Sequence, residues 1–218
     1  MSGKQTSAPR FIAVEGPIGV GKTTLARLLA ATFEAELVLE QAEDNPFLPR
    51  FYAEPARYAF ATQLHFLFQR LAQNEATRQA DLFRPARIAD FLMDKDRLFA
   101  RVALEATEFA LYEQIYGRMT VQAPVPDLVI YLQAPVPVLL RRIERRAIAY
   151  EQAIEADYLE RLCAAYVEFF YYYDAAPTLI VNAAEINLAD DDAHYRSLLE
   201  EIHEGVVGKR YFNPSAAG

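Results

Sequence analysis

The sequence predicts an α/β fold, a five-stranded parallel sheet with helices on both faces, and two observations carry that prediction. Short, mostly apolar runs alternate with longer segments whose apolar residues recur at three- and four-residue steps, the pattern of buried strands joined by amphipathic helices. The first of these runs also passes straight into Gly16-Pro-Ile-Gly-Val-Gly-Lys-Thr23, a glycine-rich string that opens a helix.

Taken in order, Arg10 to Glu15 is the first strand, stopped by Gly16. From Lys22, the positions Leu25, Leu28, Leu29 and Phe33 form one buried helical stripe, and Leu37 to Glu40 is the second strand. After the turn Glu43-Asp-Asn-Pro46, Pro55 opens a long helix marked by Phe60, Leu64, Leu67, Phe68 and Leu71, with Gln63 and Arg70 riding on it. Ile88 to Leu92 reads as a third strand. One helix spans Leu98 to Met119, before the breaker Ala123-Pro-Val-Pro126. Leu128 to Leu132 is the fourth and clearest strand, followed by a helix opened by Pro135 and Pro137 and another from about Ala156 to Tyr173. Thr178 to Val181 is the fifth strand. The last helix, roughly Asp190 to Val207, begins with three Asp, which suit the positive end of its dipole. No internal repeat or long linker interrupts the series, so one domain is expected over residues 10–208, between a flexible leader (1–9) and a flexible tail (209–218).

Composition narrows the function. Of 218 residues, 53% are hydrophobic and 24% charged, with 14 Phe and 13 Tyr, as in a folded globule. A net charge of -8 excludes a general nucleic-acid binder, which needs clustered Lys and Arg. No run of apolar residues is long enough for a membrane span, and the lone Cys163, which has no partner for an intrachain disulfide, suits a reducing cytoplasm. His65, His194 and His203 lack ligand spacing and read as surface or core-edge residues. The run Phe169 to Tyr173 reads as packing or a subunit interface.

The glycine-rich string has the strand-before, helix-after context of a phosphate-binding loop. Glycines let the backbone turn tightly and aim N–H groups at phosphate oxygens, and the helix N-terminus adds positive potential. Within Gly16, Pro17, Ile18, Gly19, Val20, Gly21, Lys22, Thr23 and Thr24, Lys22 neutralises phosphate charge and Thr23 offers a hydroxyl to magnesium. The string thus identifies a nucleoside triphosphate, ATP, as one ligand, and leaves the acceptor open.

Beyond the loop come Glu40, Asn45-Pro-Phe-Leu48, Phe51-Tyr52, Tyr58 to Gln63, Arg70, Asp96-Arg97, Tyr131 to Pro135, the Arg-rich stretch Arg141 to Arg146, Glu151-Gln152 and Asp157 to Glu160. This ordered series resembles the bacterial deoxyadenosine/deoxyguanosine kinases and, more distantly, the animal deoxycytidine and deoxyribonucleoside kinases. The resemblance covers Phe11 to about Leu188. It implies a magnesium- and ATP-dependent homodimeric kinase that phosphorylates the 5'-hydroxyl of a deoxynucleoside, with a purine favoured.

Site roles follow from the same resemblance. Glu40 matches the base that takes the hydroxyl proton, and a carboxylate at the carboxyl end of a parallel strand is well placed for that; read alone, it is a solvated glutamate ending a strand. Asp96 and Arg97 match an acid that holds magnesium and an arginine that bridges the 5'-oxygen and the phosphoryl group; alone, they read as an exposed helix-start ion pair. Tyr52 and Glu151 match the clamp on the 3'-hydroxyl, Gln63 the residue pairing with the base, and Arg70 a base-contacting arginine. Arg142 and Arg146 match arginines of a mobile lid, about residues 141–153, which closes over the donor phosphates; without that context they read as a solvated helix face. Four positions depart from the family pattern: Gln41 replaces a proline, Leu98 a serine and Ile148 an arginine, while Val102 stands where some relatives carry an acid, which leaves Arg70 to face the base without a carboxylate.

Two competing readings share the loop. A nucleoside monophosphate kinase such as thymidylate kinase needs extra basic groups around the acceptor's phosphate, and Glu40 to Phe47 holds acids and no Lys or Arg. A nucleotide-binding switch would bind ATP without consuming it in response to a deoxynucleoside.

Overall fold

The computed structural model describes residues 9–78, 86–119, 123–184 and 192–214. The expected leader, apart from residue 9, lies outside the described residues, as do residues 190–191 at the expected start of the last helix and the end of the tail, 215–218.

Strands and helices alternate along the chain: β1 (Phe11–Glu15), α1 (Lys22–Thr32), β2 (Glu36–Val38), α2 (Leu48–Ala53), α3 (Pro55–Arg78), β3 (Arg87–Ala89), α4 (Lys95–Ala103), α5 (Ala106–Met119), β4 (Leu128–Gln133), α6 (Val136–Arg146), α7 (Ala156–Tyr172), β5 (Thr178–Asn182), α8 (Asp192–Glu204) and β6 (Lys209–Phe212). Short 3-10 turns cover Ala42–Asp44 and Ala149–Ala153. The sheet runs β2-β3-β1-β4-β5-β6 with every pairing parallel. Ile12 sits between Ile88 of β3 and Leu128 of β4. Central strands have helices over both faces, which is why Ile12, Ala13, Val14 and Val129 to Leu132 are buried without alternation.

The helical stripes close the core. Leu25 and Leu29 of α1, Leu139 and Ile143 of α6, Leu159, Leu162, Tyr166 and Phe170 of α7, and Leu198 and Ile202 of α8 all pack against the sheet. The rings of Tyr131 and Phe170 stack at 4.1 Å, an arrangement that adds about 1 kcal/mol to the burial of both rings. Phe170 and Tyr173 are buried while Tyr171 and Tyr172 point outward, so the aromatic run divides between core and surface. On α3, Leu67 is fully buried and Phe68 is half-exposed. Among the described residues, no helix is long and apolar enough to cross a membrane.

Two expectations need correction. The sheet has six strands: Lys209–Phe212, expected to be tail, pairs with β5 through Thr178↔Lys209 to Val181↔Phe212. Three of its four side chains stay out of the core and only Phe212 is buried, so backbone hydrogen bonds hold this edge strand and the apolar pattern does not mark it. The expected single helix from Leu98 to Met119 is two helices. Leu104 turns extended (φ -97°, ψ 147°), packing its side chain into the apolar clusters below α3. Glu105 then restarts the chain, its carbonyl accepting from the Phe109 N–H at 2.8 Å and its own N–H reaching the Glu108 carboxylate at 3.4 Å, half of a capping box.

Candidate active site

The glycine-rich loop is pressed between β1 and the β4–α6 connection. Gly16 has φ +145°, and a Cβ there would lie 2.4 Å from the Leu132 carbonyl oxygen; at Gly19 (φ +81°) it would lie 2.9 Å from the Leu139 carbonyl oxygen. Only glycine fits both the conformation and the space. The buried Glu15 carboxylate fastens the loop, accepting from the N–H of Gly16 (2.9 Å), the N–H of Leu92 (2.7 Å) and the hydroxyl of Tyr166 (2.8 Å). One side chain thereby ties together the loop, the segment after β3, and α7. Pro17 and Val20 are buried, Ile18 borders the cleft described below, and Thr24 is exposed.

Lys22 folds over the loop, its Nζ donating to the carbonyls of Gly16 (2.8 Å) and Pro17 (3.2 Å). Burial, then repulsion from Lys95, lowers its pKa to about 8. Thr23 Oγ1 donates to Asp90 Oδ2 at 2.6 Å, at the end of β3. Arg142 braces the loop from α6, donating to the carbonyls of Val20 (3.2 Å) and Ala183 (2.8 Å).

In front of the loop, at the carboxyl ends of β1, β2 and β3, opens a cleft of about 760 Å³, within the size range of small-ligand sites. Glu40 stands on its wall, two residues past β2, with its N–H donating to Asp90 Oδ1 at 2.7 Å. Lys95 Nζ donates to Glu40 Oε2 at 2.6 Å, and Arg70 pairs with both Glu40 Oε1 and Asp96 Oδ1. Burial alone would raise the Glu40 pKa, but the charges of Lys95, Arg70 and Lys22 and the Lys95 hydrogen bond outweigh it and hold the carboxyl at about 2. Glu40 is therefore a carboxylate at every physiological pH.

The remaining wall comes from α2, α3 and the turn after α6. Gln63 and Arg70, two turns apart on α3, face the cleft and are buried. Tyr52 of α2 stacks on Tyr150 at 6.2 Å, and burial raises its pKa well above the ordinary phenol value. Glu151 borders the same space and accepts from Arg146 Nη2 at 2.5 Å and Nε at 3.0 Å. Ile148, where the family pattern has an arginine, also borders the cleft.

Thus Glu40, Tyr52, Gln63, Arg70, Asp96, Arg146 and Glu151 converge with Lys22 and Thr23 on one cavity, whereas Arg97 does not. Arg97 turns away and forms a two-pronged pair with Glu113 of α5 (2.7 and 2.6 Å). On α4, Lys95, Asp96 and Phe99 fall on one face, and a further 100° step carries Arg97 off it. The reading of Asp96 also changes. It pairs with Arg70 on α3, so Arg70 does have a carboxylate partner there, and Asp90 is the acid beside Thr23. Sequence reasoning missed Asp90, Lys95 and Glu15. Asp90 carried a usable signal, since it follows β3 as Glu40 follows β2: an acid at the carboxyl end of a parallel strand.

Comparison with known proteins identifies the family. The deoxynucleoside kinase family model matches residues 12–207. The chain is 40% identical over 174 residues to the deoxyguanosine kinase of Bacillus subtilis, covering 78% of this chain and 84% of that one. It is 29% identical over 210 residues to the deoxyadenosine kinase of Lactobacillus acidophilus, covering 89% and 95%. Among solved structures, the deoxyadenosine kinase of M. mycoides with dCMP and dCDP bound superposes with a TM-score of 0.76 at 25% identity, over 88% of this chain and 99% of that one. The same enzyme with dATP bound gives 0.78 at 24% identity, over 88% and 98%. The chain belongs to the deoxynucleoside kinases, enzymes that use ATP to phosphorylate deoxynucleosides.

Proposed function

We propose that this kinase phosphorylates the 5'-hydroxyl of a purine deoxynucleoside, deoxyadenosine or deoxyguanosine, with Glu40 as the group that receives the hydroxyl proton. The observation that carries the reading is the position of Glu40, on the wall that joins Lys22 and Thr23 of the phosphate loop to Gln63 and Arg70 of α3. A carboxylate held near pKa 2 is a weak base, which suits phosphoryl transfer through a loose transition state: Glu40 orients the hydroxyl and takes its proton late. Gln63 offers a donor and an acceptor to the base edge, and the Arg70–Asp96 pair extends that polar wall. Tyr52 and Glu151 hold the 3'-hydroxyl, and Arg146 links Glu151 to the lid. The purine preference draws on the relatives named deoxyguanosine and deoxyadenosine kinases.

The donor set fits magnesium. Thr23 Oγ1 and Asp90 Oδ2 are hard oxygens beside the loop, and among the described residues no cluster of three or more His, Cys, Asp or Glu forms a closed metal cage. Thr23 and Asp90 would hold magnesium beside the loop, and the metal would supply charge neutralisation for the bound triphosphate. The backbone N–H groups of the loop and Lys22 hold those phosphates, and Arg142 keeps the loop in place through Val20. A homodimer belongs to the same proposal. The outward Val167, Tyr171 and Tyr172 of α7 supply an apolar face for it.

For a monophosphate acceptor, two cations, Arg70 and Lys95, do reach Glu40, but Glu40 and Asp96 neutralise them. A panel of the four deoxynucleosides with ATP and magnesium tests the proposal. Purine deoxynucleosides should be converted to 5'-monophosphates with the highest kcat/KM, and a pyrimidine leading the panel would overturn the base assignment.

A further inference from the structure

We infer that Lys95 is the cation that joins the acceptor 5'-oxygen to the transferring phosphoryl group, the task the sequence assigned to Arg97. This rests on the reading of Glu40 as the acceptor-side base.

Three observations converge. Lys95 Nζ lies 2.6 Å from Glu40 Oε2, so any hydroxyl bonded to Glu40 comes within reach of that ammonium. The Lys95 side chain is 5% exposed, its Nζ lies 5.2 Å from the centre of the Phe99 ring, and the residue borders the cleft. Glu40, the carboxylate read as the acceptor-side base, compensates the buried charge and holds the ammonium at the cleft wall. Lys95 also borders the same cleft as Lys22 and Thr23 of the glycine-rich loop, which puts its charge within the space shared with the phosphate end of the site. Arg97, by contrast, is held by Glu113 outside the cleft, and Arg70 divides its guanidinium between two carboxylates, Glu40 and Asp96, whereas the Lys95 ammonium pairs with Glu40.

In the transfer step, a lone pair of the 5'-oxygen forms the new O–P bond. The bond from the γ-phosphorus to the β–γ bridging oxygen breaks, and its electron pair leaves with the nucleoside diphosphate. The hydroxyl proton passes to Glu40. The Lys95 ammonium keeps its protons and stabilises negative charge on the nearest equatorial phosphoryl oxygen while fixing the attacking oxygen, as a point charge does where an arginine would use its fork.

The test compares Lys95→Met, Arg97→Met and Glu40→Gln in the full-length protein. Kinetics use deoxyguanosine and ATP, nucleotide affinity is read by fluorescence titration with an ATP analogue, and folding is read by thermal melting. Lys95→Met should lower kcat by about 10²-fold or more with nucleotide affinity within about threefold of wild type. Arg97→Met should keep kcat within about threefold. Should the methionine variant melt early, Lys95→Cys decides the matter. Aminoethylation of that cysteine rebuilds an ammonium with sulfur in place of Cγ and should restore at least about tenfold of the lost kcat. Retention of near-wild-type kcat by Lys95→Met or unmodified Lys95→Cys overturns the inference, as does Arg97→Met being as slow as Lys95→Met. A slow Glu40→Gln beside a fast Lys95→Met removes Lys95 alone, whereas a fast Glu40→Gln removes the reading beneath it.

Discussion

The Lys95 ammonium donates to the Glu40 carboxylate at 2.6 Å, on the wall of the cleft that Lys22 and Gln63 also line. The pair stabilises the fold as well as the site. Holding a carboxyl at about 2 in place of its ordinary 4.5 corresponds to about 3 kcal/mol in favour of the folded state. Because the folded pKa is the lower one, that stability is present above about pH 4.5 and is lost as pH falls towards 2. Glu40→Gln should flatten the decline of the urea midpoint between pH 4.5 and the acid limit. An unchanged slope would show that Lys95 and Arg70 do not hold Glu40 in solution.

Lys22 makes a prediction on the alkaline side. With its pKa at about 8, it is an ammonium at pH 7 and largely neutral at pH 9, and bound phosphates favour the charged form. Triphosphate affinity should fall several-fold from pH 7 to pH 9. Binding near pH 8.5 should take up a fraction of a proton, read by calorimetry in buffers of different ionisation enthalpy. No proton uptake would contradict the assignment.

Asp90 and Asp96 separate the two ends of the cleft. Asp90→Asn should raise the magnesium concentration needed for half-maximal activity by about tenfold or more, since Asp90 sits beside Thr23. Asp96→Asn should leave that requirement near wild type and instead raise the deoxynucleoside KM and blur base discrimination, because Arg70 loses one of its two charged partners and keeps only Glu40. The opposite pattern would return the metal role to Asp96.

The sugar clamp is tested with acceptors. Tyr52→Phe and Glu151→Gln should each cost about 1 to 2 kcal/mol, or roughly 5- to 30-fold, in kcat/KM for deoxynucleosides. They should have little effect on 2',3'-dideoxynucleosides, which lack the hydroxyl. Equal losses on both substrates would assign Tyr52, stacked on Tyr150, to packing alone.

What could be read in the chain beforehand divides by physics. The phosphate loop was fully legible because its chemistry demands glycines at fixed spacing, seen in the positive φ of Gly16 and Gly19. The buried strands were legible because two covered faces force apolar runs such as Leu128 to Leu132. β6 was not, because an edge strand needs backbone pairing more than apolar side chains. The helix break at Leu104 was hidden for a similar reason: tertiary burial of that leucine overrides a continuous helical pattern. Asp96-Arg97 looked like a functional pair by its order in the chain, yet adjacent residues on a helix diverge by 100°, and only Asp96 shares the cleft face with Lys95. Tyr52, Gln63 and Glu151 reached one cavity from three separate elements, a convergence that came from the family resemblance and that no local pattern encodes.

The other proposed roles at the acceptor depend on Glu40 taking the proton of the acceptor hydroxyl. This proton transfer is tested most directly by single-turnover phosphorylation of deoxyguanosine by Glu40→Gln with saturating magnesium and ATP. The account predicts a rate lower by about 10²- to 10⁴-fold, with the variant folded at pH 7 and its affinity for ATP close to wild type. A rate within a few-fold of wild type would contradict it.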